Sequence, residues 1–307
     1  AKCARNITLH GQNPKHDLLL SGSRVHYGTA GAAVHVVDVA KNEYRESYLA
    51  DIYDAARIVE QMDNIHFFQR PMVARDISDP ADLDFNTVYA AIKGTTKHVG
   101  VSFTEAEFMK PVFEMLHSVA GGEDKWRARP FVSNSNCFVV PPLRFATESC
   151  LVMEEAVHNG MPVLLLSAGQ AGATAPASIA GAVAQALSEV IAGLIYVNAM
   201  VPGHPCIVGT WPFVSDLRTG AMSGGSGEQG LLTAACAQML QHYDLPGGAA
   251  AGMADAKMPD AQSGYEKGST LVMAGLSGLN MVYEAAGMHA SLLGFCLDSL
   301  IIDNDIL

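Results

Sequence analysis

The chain has 307 residues, 49% of them hydrophobic, and a formal net charge of −12. That is enough apolar material for one barrel-sized α/β core or for two smaller ones. The acidic balance, with no basic stripe, argues against nucleic acid as a partner and adds only a small bias toward cationic ligands.

Read in order, helical and extended patterns alternate. The segment 23–38 (SRVHYGTAGAAVHVVD) is strand and turn. In 47–62, Tyr48, Ile52, Ala55, Val59 and Met62 recur at helical spacing, and the apolar 65–69 follows as a strand. Asp79 and Pro80 open a helix as cap and first-turn residue. After a strand at 98–103, Thr104 and Glu107 predict a capping box for a helix that Pro111 interrupts or kinks. The pattern continues as strand 130–135, helix 145–159, strand 162–168, a long small-residue helix over 176–198, strand 205–211, helix 228–243 and a glycine-rich strand at 247–253. The run from Asp260 to Gly287 predicts one helix, and 292–302 a closing eighth strand. Eight β/α units in about 300 residues is the count of a TIM barrel. The expected fold is therefore α/β, a (β/α)8 TIM barrel with a short N-terminal extension, as a single domain over 1–307 that belongs to a longer chain. No stretch has the uninterrupted apolar length of a membrane span. The six scattered cysteines, without a C-x-x-C, predict mostly buried free thiols in a reducing cytoplasm.

In a TIM barrel, function sits where strands end and helices begin. Those positions are polar or glycine-rich here, among them Gln69-Arg70, Ser102 to Thr104, Ser133 to Asn136, Ser167 to Gln170 and Gly252 to Lys257. The stretch Gly225-Ser226-Gly227-Glu228-Gln229-Gly230 matches the dinucleotide fingerprint by letter. That fingerprint should follow a strand directly, whereas the preceding strand ends near Trp211. Ser226 and Gln229 instead fit a capping box, so these glycines open a helix and NAD is not expected.

The long loop before that helix is the stronger functional signal. It holds Trp211, Phe213, Asp216, Arg218, Met222, Ser223, Gly224 and Gly225. It reads either as a loop fastened by an Asp216–Arg218 contact or as a ligand loop, with Arg218 and the amides near Ser226 meeting an anion. Tyr27, Phe67, Phe103, Trp211 and Phe213 fall near strand ends, where rings could cage a quaternary ammonium, although core packing explains any one of them. Asn134 and Asn136 read equally as pocket amides or turn formers, and Asn134 and Gln170 are carried as candidate substrate-binding residues. Lys257 could form an imine, with pairing to a carboxylate such as Asp255 the commoner role. Glu284 reads either as a buried paired carboxylate or as a helix-surface charge, with the latter favoured. The eleven histidines have no zinc spacing, and neither a P-loop nor G-x-S-x-G occurs, so no bound metal is expected.

The runs VHYGTAGAAVHVVD, LRTGAMSGGSGEQGLLTAACAQMLQHY, DAKMPDAQSGYEKG and GLNMVYEAAGMHASLLGFCLDSLIIDND resemble the trimethylamine methyltransferase (MttB) family over essentially the whole chain. The resemblance implies a TIM-barrel enzyme that moves a methyl group from a methylamine to the Co(I) corrinoid of a separate carrier protein. Archaeal trimethylamine enzymes of the family carry pyrrolysine, and this chain shows only the twenty common residues. In that departure it resembles the non-pyrrolysine branch of the family, which includes enzymes that demethylate quaternary amines such as glycine betaine. A trimethylamine-specific enzyme and a non-catalytic betaine-binding barrel are the alternatives, and the oligomeric state, a homo-oligomer included, is left open.

Overall fold

The computed structural model describes residues 3–307. Eight short parallel strands form one sheet: β1 (His26–Tyr27), β2 (Phe67–Gln69), β3 (His98–Val101), β4 (Val132–Asn136), β5 (Val163–Ser167), β6 (Cys206–Thr210), β7 (Gly247–Ala250) and β8 (Met281–Tyr283). Each strand pairs with the next in chain order, for example Val163 with Cys206 and Ala249 with Val282. β8 pairs back onto β1 through Met281 with His26, and a Gly28–Phe67 bridge joins β1 to β2. The sheet closes on itself, which leaves no exposed strand edge.

The helices that follow the strands are α1 (Leu49–Glu60), α2 (Pro80–Gly94), α3 (Met109–Ala120), α4 (Thr147–His158), α5 (Ile179–Met200), α6 (Gly227–His242), α7 (Ala261–Leu276) and α8 (Leu297–Ile306). Their starts follow capping chemistry. Asp79 accepts from Ala81 N and Asp82 N, Ser178 from Gly181 N, and Asp260 from Ser263 N. Thr104 does not cap α3. Its N–H and hydroxyl bond Asp84, and Pro111 lies in the first helical turn, where it interrupts nothing. α5 has the length and hydropathy of a membrane span, yet it carries buried Glu189 and packs on β5 and β6 as a barrel helix does. The thiols divide evenly, since Cys206, Cys236 and Cys296 are buried while Cys137 is exposed and Cys3 and Cys150 are half-buried.

The sequence pattern misplaces the eighth strand. Residues 292–302 are not a strand: Gly294–Phe295 pairs in a small outer sheet and Leu297–Ile306 is α8. The true β8 is Met281–Tyr283, inside the run expected to be helical. α7 stops at Leu276, and Gly278 at φ +72° turns the chain into the barrel. Three buried residues are too short a run to break a helical periodicity that continues on both sides.

One end of the barrel is closed and the other is open. An N-terminal hairpin, Ile7–Leu9 with Leu18–Leu20, covers the N-terminal ends of the strands. There His98 Nδ1 donates to His10 O at 2.8 Å and Nε2 accepts from the Ser133 hydroxyl at 2.9 Å. Inside the barrel, glycines face large side chains. A Cβ on Gly28 would fall 2.4 Å from the Phe67 ring, one on Gly100 1.6 Å from Gln69 Oε1, and one on Gly248 2.9 Å from the Tyr283 ring. Gly209 lies under Trp211, with the Leu165 carbonyl 2.8 Å from where its Cβ would be. These pairs fill the lumen and set its upper layer as rings and an amide.

Two glycine substitutions test that packing. Gly209→Ala meets a backbone carbonyl that cannot swing away and should cost about 1–3 kcal/mol in urea unfolding. Gly264→Ala, on α7 with nothing within 4 Å of its Cβ, should instead be neutral or stabilise by about 0.5–1 kcal/mol.

Candidate functional site

Every barrel strand except β7 contributes to a cavity of about 290 Å³ at the C-terminal mouth. Its floor and walls include Gln69 and Arg70 after β2, Trp211 and Phe213 after β6, and Tyr283 and Glu284 at the end of β8. The Trp211 and Tyr283 rings are 5.0 Å apart at 43°, and Phe67 meets Tyr283 edge-on at 5.0 Å. This clusters three aromatic rings at the mouth, of which Trp211 and Tyr283 present apolar surface to the cavity.

Glu284 is the unexpected member. In a regular strand the residue after inward-facing Tyr283 would point outward. Glu284 sits at φ +61°, which breaks the alternation, and its side chain lines the cavity with Tyr283. It is 3% exposed, not a surface charge. Trp211 Nε1 donates to Oε1 at 3.3 Å, and Oε2 is buried without a partner. Burial pushes this carboxyl up to about 8, with the Trp211 hydrogen bond pulling weakly the other way. A non-glycine residue in the left-handed region costs of order 1–3 kcal/mol, and such strain concentrates at functional sites.

Arg70 supplies the opposite charge. Its guanidinium makes only two long contacts, 3.5 Å each, to Met72 O and the Ser102 hydroxyl, and its buried Nε has no partner. Burial lowers its affinity for the proton, while nearby Asp84 raises it. Asp84 itself is committed to the Thr104 N–H at 2.7 Å and hydroxyl at 3.0 Å. Arg70 thus faces the cavity with unspent donors, and a planar guanidinium of this kind matches a carboxylate.

Of the residues the sequence singled out, Trp211 and Phe213 line this cavity. Gln170 does not line the cavity but pairs by its backbone with Phe213, which does, and its side-chain oxygen accepts from Ser215. Met222, Ser223, Asp255 and Lys257 border a second, more open hollow of about 600 Å³ beside the mouth. Asp255 holds that hollow together. Its carboxylate accepts from the Ser223 hydroxyl at 2.7 Å, from Gly224 N at 2.8 Å and from the Ser291 hydroxyl. Lys257 is exposed and donates to the backbone carbonyl of Asp255, not to its carboxylate. It has none of the burial that would activate an imine-forming lysine.

The remaining candidates are turned away from the cavity. Arg218 is 89% exposed and paired with Asp216. Gly224 and Gly225 are packed on Met253. Ser226 caps α6 by accepting from Gln229 N at 3.2 Å, while Gln229 Oε1 accepts from Gly225 N at 2.9 Å. Side chains of the protein thus accept from three of the amides around Ser226, those of Gly224, Gly225 and Gln229. Tyr27 stacks on His66, and its hydroxyl points at Gly275 of α7. Phe103 packs against the main core. Asn134 points outward like Asn136, which bonds Ser149 O on α4, whereas Ser135 between them lines the cavity. Among the described residues no cluster of His, Cys, Asp or Glu has a metal-holding arrangement.

Sequence reasoning missed Glu284, Tyr283 and Arg70 as site residues. The strand-end rule pointed at Gln69-Arg70, and it would have reached Tyr283 and Glu284 had β8 been placed correctly.

Comparison with known proteins gives the site its context. The chain is 32% identical over 300 residues to a trimethylamine methyltransferase MttB of Desulfitobacterium hafniense, covering 98% of this chain and 60% of that protein. It is 31% identical over 305 residues to the trimethylamine methyltransferase MttB of Methanosarcina thermophila, covering 98% of this chain and 63% of that one. A glycine betaine methyltransferase of D. hafniense is 29% identical over 302 residues, 98% of this chain and 62% of that protein. The chain thus spans about three fifths of the length of the curated relatives it matches. Among solved structures, dihydropteroate synthases from Xanthomonas albilineans and Coxiella burnetii superpose with TM-scores of 0.54 and 0.55 at 10% and 9% identity. Each of these matches covers 97–98% of this chain and 96–97% of the other, and shows a shared barrel fold alone. The model of the family described as trimethylamine methyltransferase (MTTB) matches residues 1–307, and the chain belongs to that family.

Proposed function

We propose that this barrel takes a methyl group from a quaternary amine carrying a carboxylate, such as glycine betaine, and delivers it to the Co(I) corrinoid of a separate carrier protein. The observation that carries this reading is the mouth cavity itself. In it aromatic faces, one buried carboxyl and one under-used guanidinium converge in about 290 Å³.

That volume lies at the low end for ligand cavities and suits a small amine. A corrin macrocycle does not fit inside it, so the acceptor belongs above the open mouth. The Co(I) corrinoid supplies the nucleophile for the methyl carbon when the carrier is in place. The protein's own residues have three tasks. Trp211, Tyr283 and Phe213 offer ring faces to the methyl-bearing nitrogen, an attraction worth about 0.5–2 kcal/mol for each well-placed ring. Arg70 takes the carboxylate and fixes which end of the molecule points outward. The close-packed floor of Phe67, Gln69 and Tyr283 keeps water from beneath the substrate. A quaternary ammonium leaves as a neutral tertiary amine, so its departure requires no proton donor, which agrees with a site built from rings and two charges. Orientation of the methyl toward the mouth is then the main catalytic contribution.

Two outcomes follow. Incubated with reduced cobalamin or a corrinoid carrier, the protein should form methyl-cobalt from glycine betaine, read by the change in visible absorption; no transfer from any methylated amine contradicts the reading. Arg70→Met should raise KM for glycine betaine by roughly ten- to hundredfold, the loss of a charge-assisted hydrogen bond of about 1.5–3 kcal/mol. The same substitution should leave binding of tetramethylammonium, which has no carboxylate, almost unchanged.

A further inference from the structure

We propose that Glu284 is the counter-ion for the substrate's ammonium group and that each cation entering the cavity expels one proton from its carboxyl to solvent. This rests on the amine-binding reading of the mouth cavity and assigns that site a charge-coupled selection step.

The geometry singles out this side chain. Glu284 Oε2 is buried and unpartnered, and Oε1 has only the Trp211 N–H at 3.3 Å. No lysine or arginine forms an ion pair with it among the described residues. The side chain reaches the cavity because the backbone is held in the left-handed region. An acid so placed has no structural partner on one oxygen, and a buried polar atom without one is costly unless something occupies the space beside it.

Burial holds the empty site in the protonated form near neutral pH, the carboxyl being pushed up to about 8. The other titratable groups lining the cavity are Arg70, the Cys137 thiol and the Tyr283 phenol. Arg70 stays charged. Tyr283 is raised by burial, and Cys137, an exposed residue whose thiol is nonetheless partly desolvated and near the Glu189 carboxylate, is raised as well, so neither releases a proton near neutral pH. The remaining lining residues, on the segments after β1, β3, β5, β6 and β8, carry no titratable side chain. When a permanent cation enters, the neutral acid plus the cation become a carboxylate–cation pair, and the proton leaves through the open mouth to bulk water. Ionisation is favoured because an opposite charge now lies beside the carboxylate in a poorly solvated space. The sign follows directly. Cation affinity should rise with pH below about 8, approaching about tenfold per pH unit, and level off above it.

Isothermal titration of the whole chain in two buffers of different ionisation enthalpy tests this, with glycine betaine, tetramethylammonium and 3,3-dimethylbutanoate as probes. The last is the uncharged-carbon counterpart of glycine betaine. At pH 7 both cations should release close to one proton per molecule bound, and 3,3-dimethylbutanoate none. Glu284→Gln should abolish the proton release, flatten the pH profile and weaken cation binding at pH 9 by roughly tenfold or more. Binding of 3,3-dimethylbutanoate should persist in the variant, which separates charge pairing from a loss of fold. Wild-type cation binding without proton release, or a Glu284→Gln variant with the wild-type pH profile, overturns the proposal while leaving methyl transfer standing. Failure of every amine both to bind and to donate a methyl group overturns the functional reading along with it.

Discussion

The site depends on an exchange of volume inside the barrel. A closed eight-stranded sheet has room for inward side chains and little else. Here Gly28, Gly100, Gly209 and Gly248 give up their own share of that room to Phe67, Gln69, Trp211 and Tyr283. The large groups can then sit on the axis just below the mouth, as a floor of rings. Side chains on the four glycine positions would displace that floor toward the opening. Burial among these groups leaves the Glu284 carboxyl and the Arg70 guanidinium poorly solvated, so a charged ligand beside either one would interact strongly with it.

Around that floor the mouth is kept in shape by polar contacts that never enter it. Asp255 binds the Ser223–Gly224 segment to Ser291, and three successive residues, Ala290, Ser291 and Leu292, are held at positive φ. Leu292 lines the central cavity and Leu293 the neighbouring hollow, so this strained segment is the wall between them. The glycines of GAMSGGSGEQG belong to this framework. They allow close packing on Met253 and supply the capping contacts that start α6. The letters match a nucleotide fingerprint, but the amides of Gly225, Gln229 and Gly230 bond within the helix start.

Much of the architecture was legible in the sequence because buried parallel strands and flanking helices write distinct periods. Seven of the eight strands, the cap at Ser226 and the aromatic contribution of Trp211 and Phe213 follow from pattern and position. The failures share a cause. β8 is three residues long inside a helical run, so its period is invisible, and the sequence therefore favours a helix-surface charge over a buried carboxylate for the adjoining Glu284. Arg218 and Lys257 looked chemically apt because charge in a glycine-rich loop is conspicuous in one dimension. In three dimensions the first pairs with Asp216 and the second with a carbonyl, both at the surface. Asn134 failed on parity: one step along β4 turns an amide from the mouth to the helices. Side-chain direction at a strand end depends on local φ, as Glu284 shows, and composition does not encode it.

On the proposed function, the methylated amine sits in the mouth cavity and not in the neighbouring hollow at 216–223 and 255–257. A crystal structure of the protein soaked with glycine betaine tests this most directly. The expected density has the ammonium against Trp211 and Glu284, the carboxylate on Arg70 and a methyl group facing the opening. Betaine bound in the outer hollow, or seated in the cavity with its carboxylate away from Arg70, would contradict it.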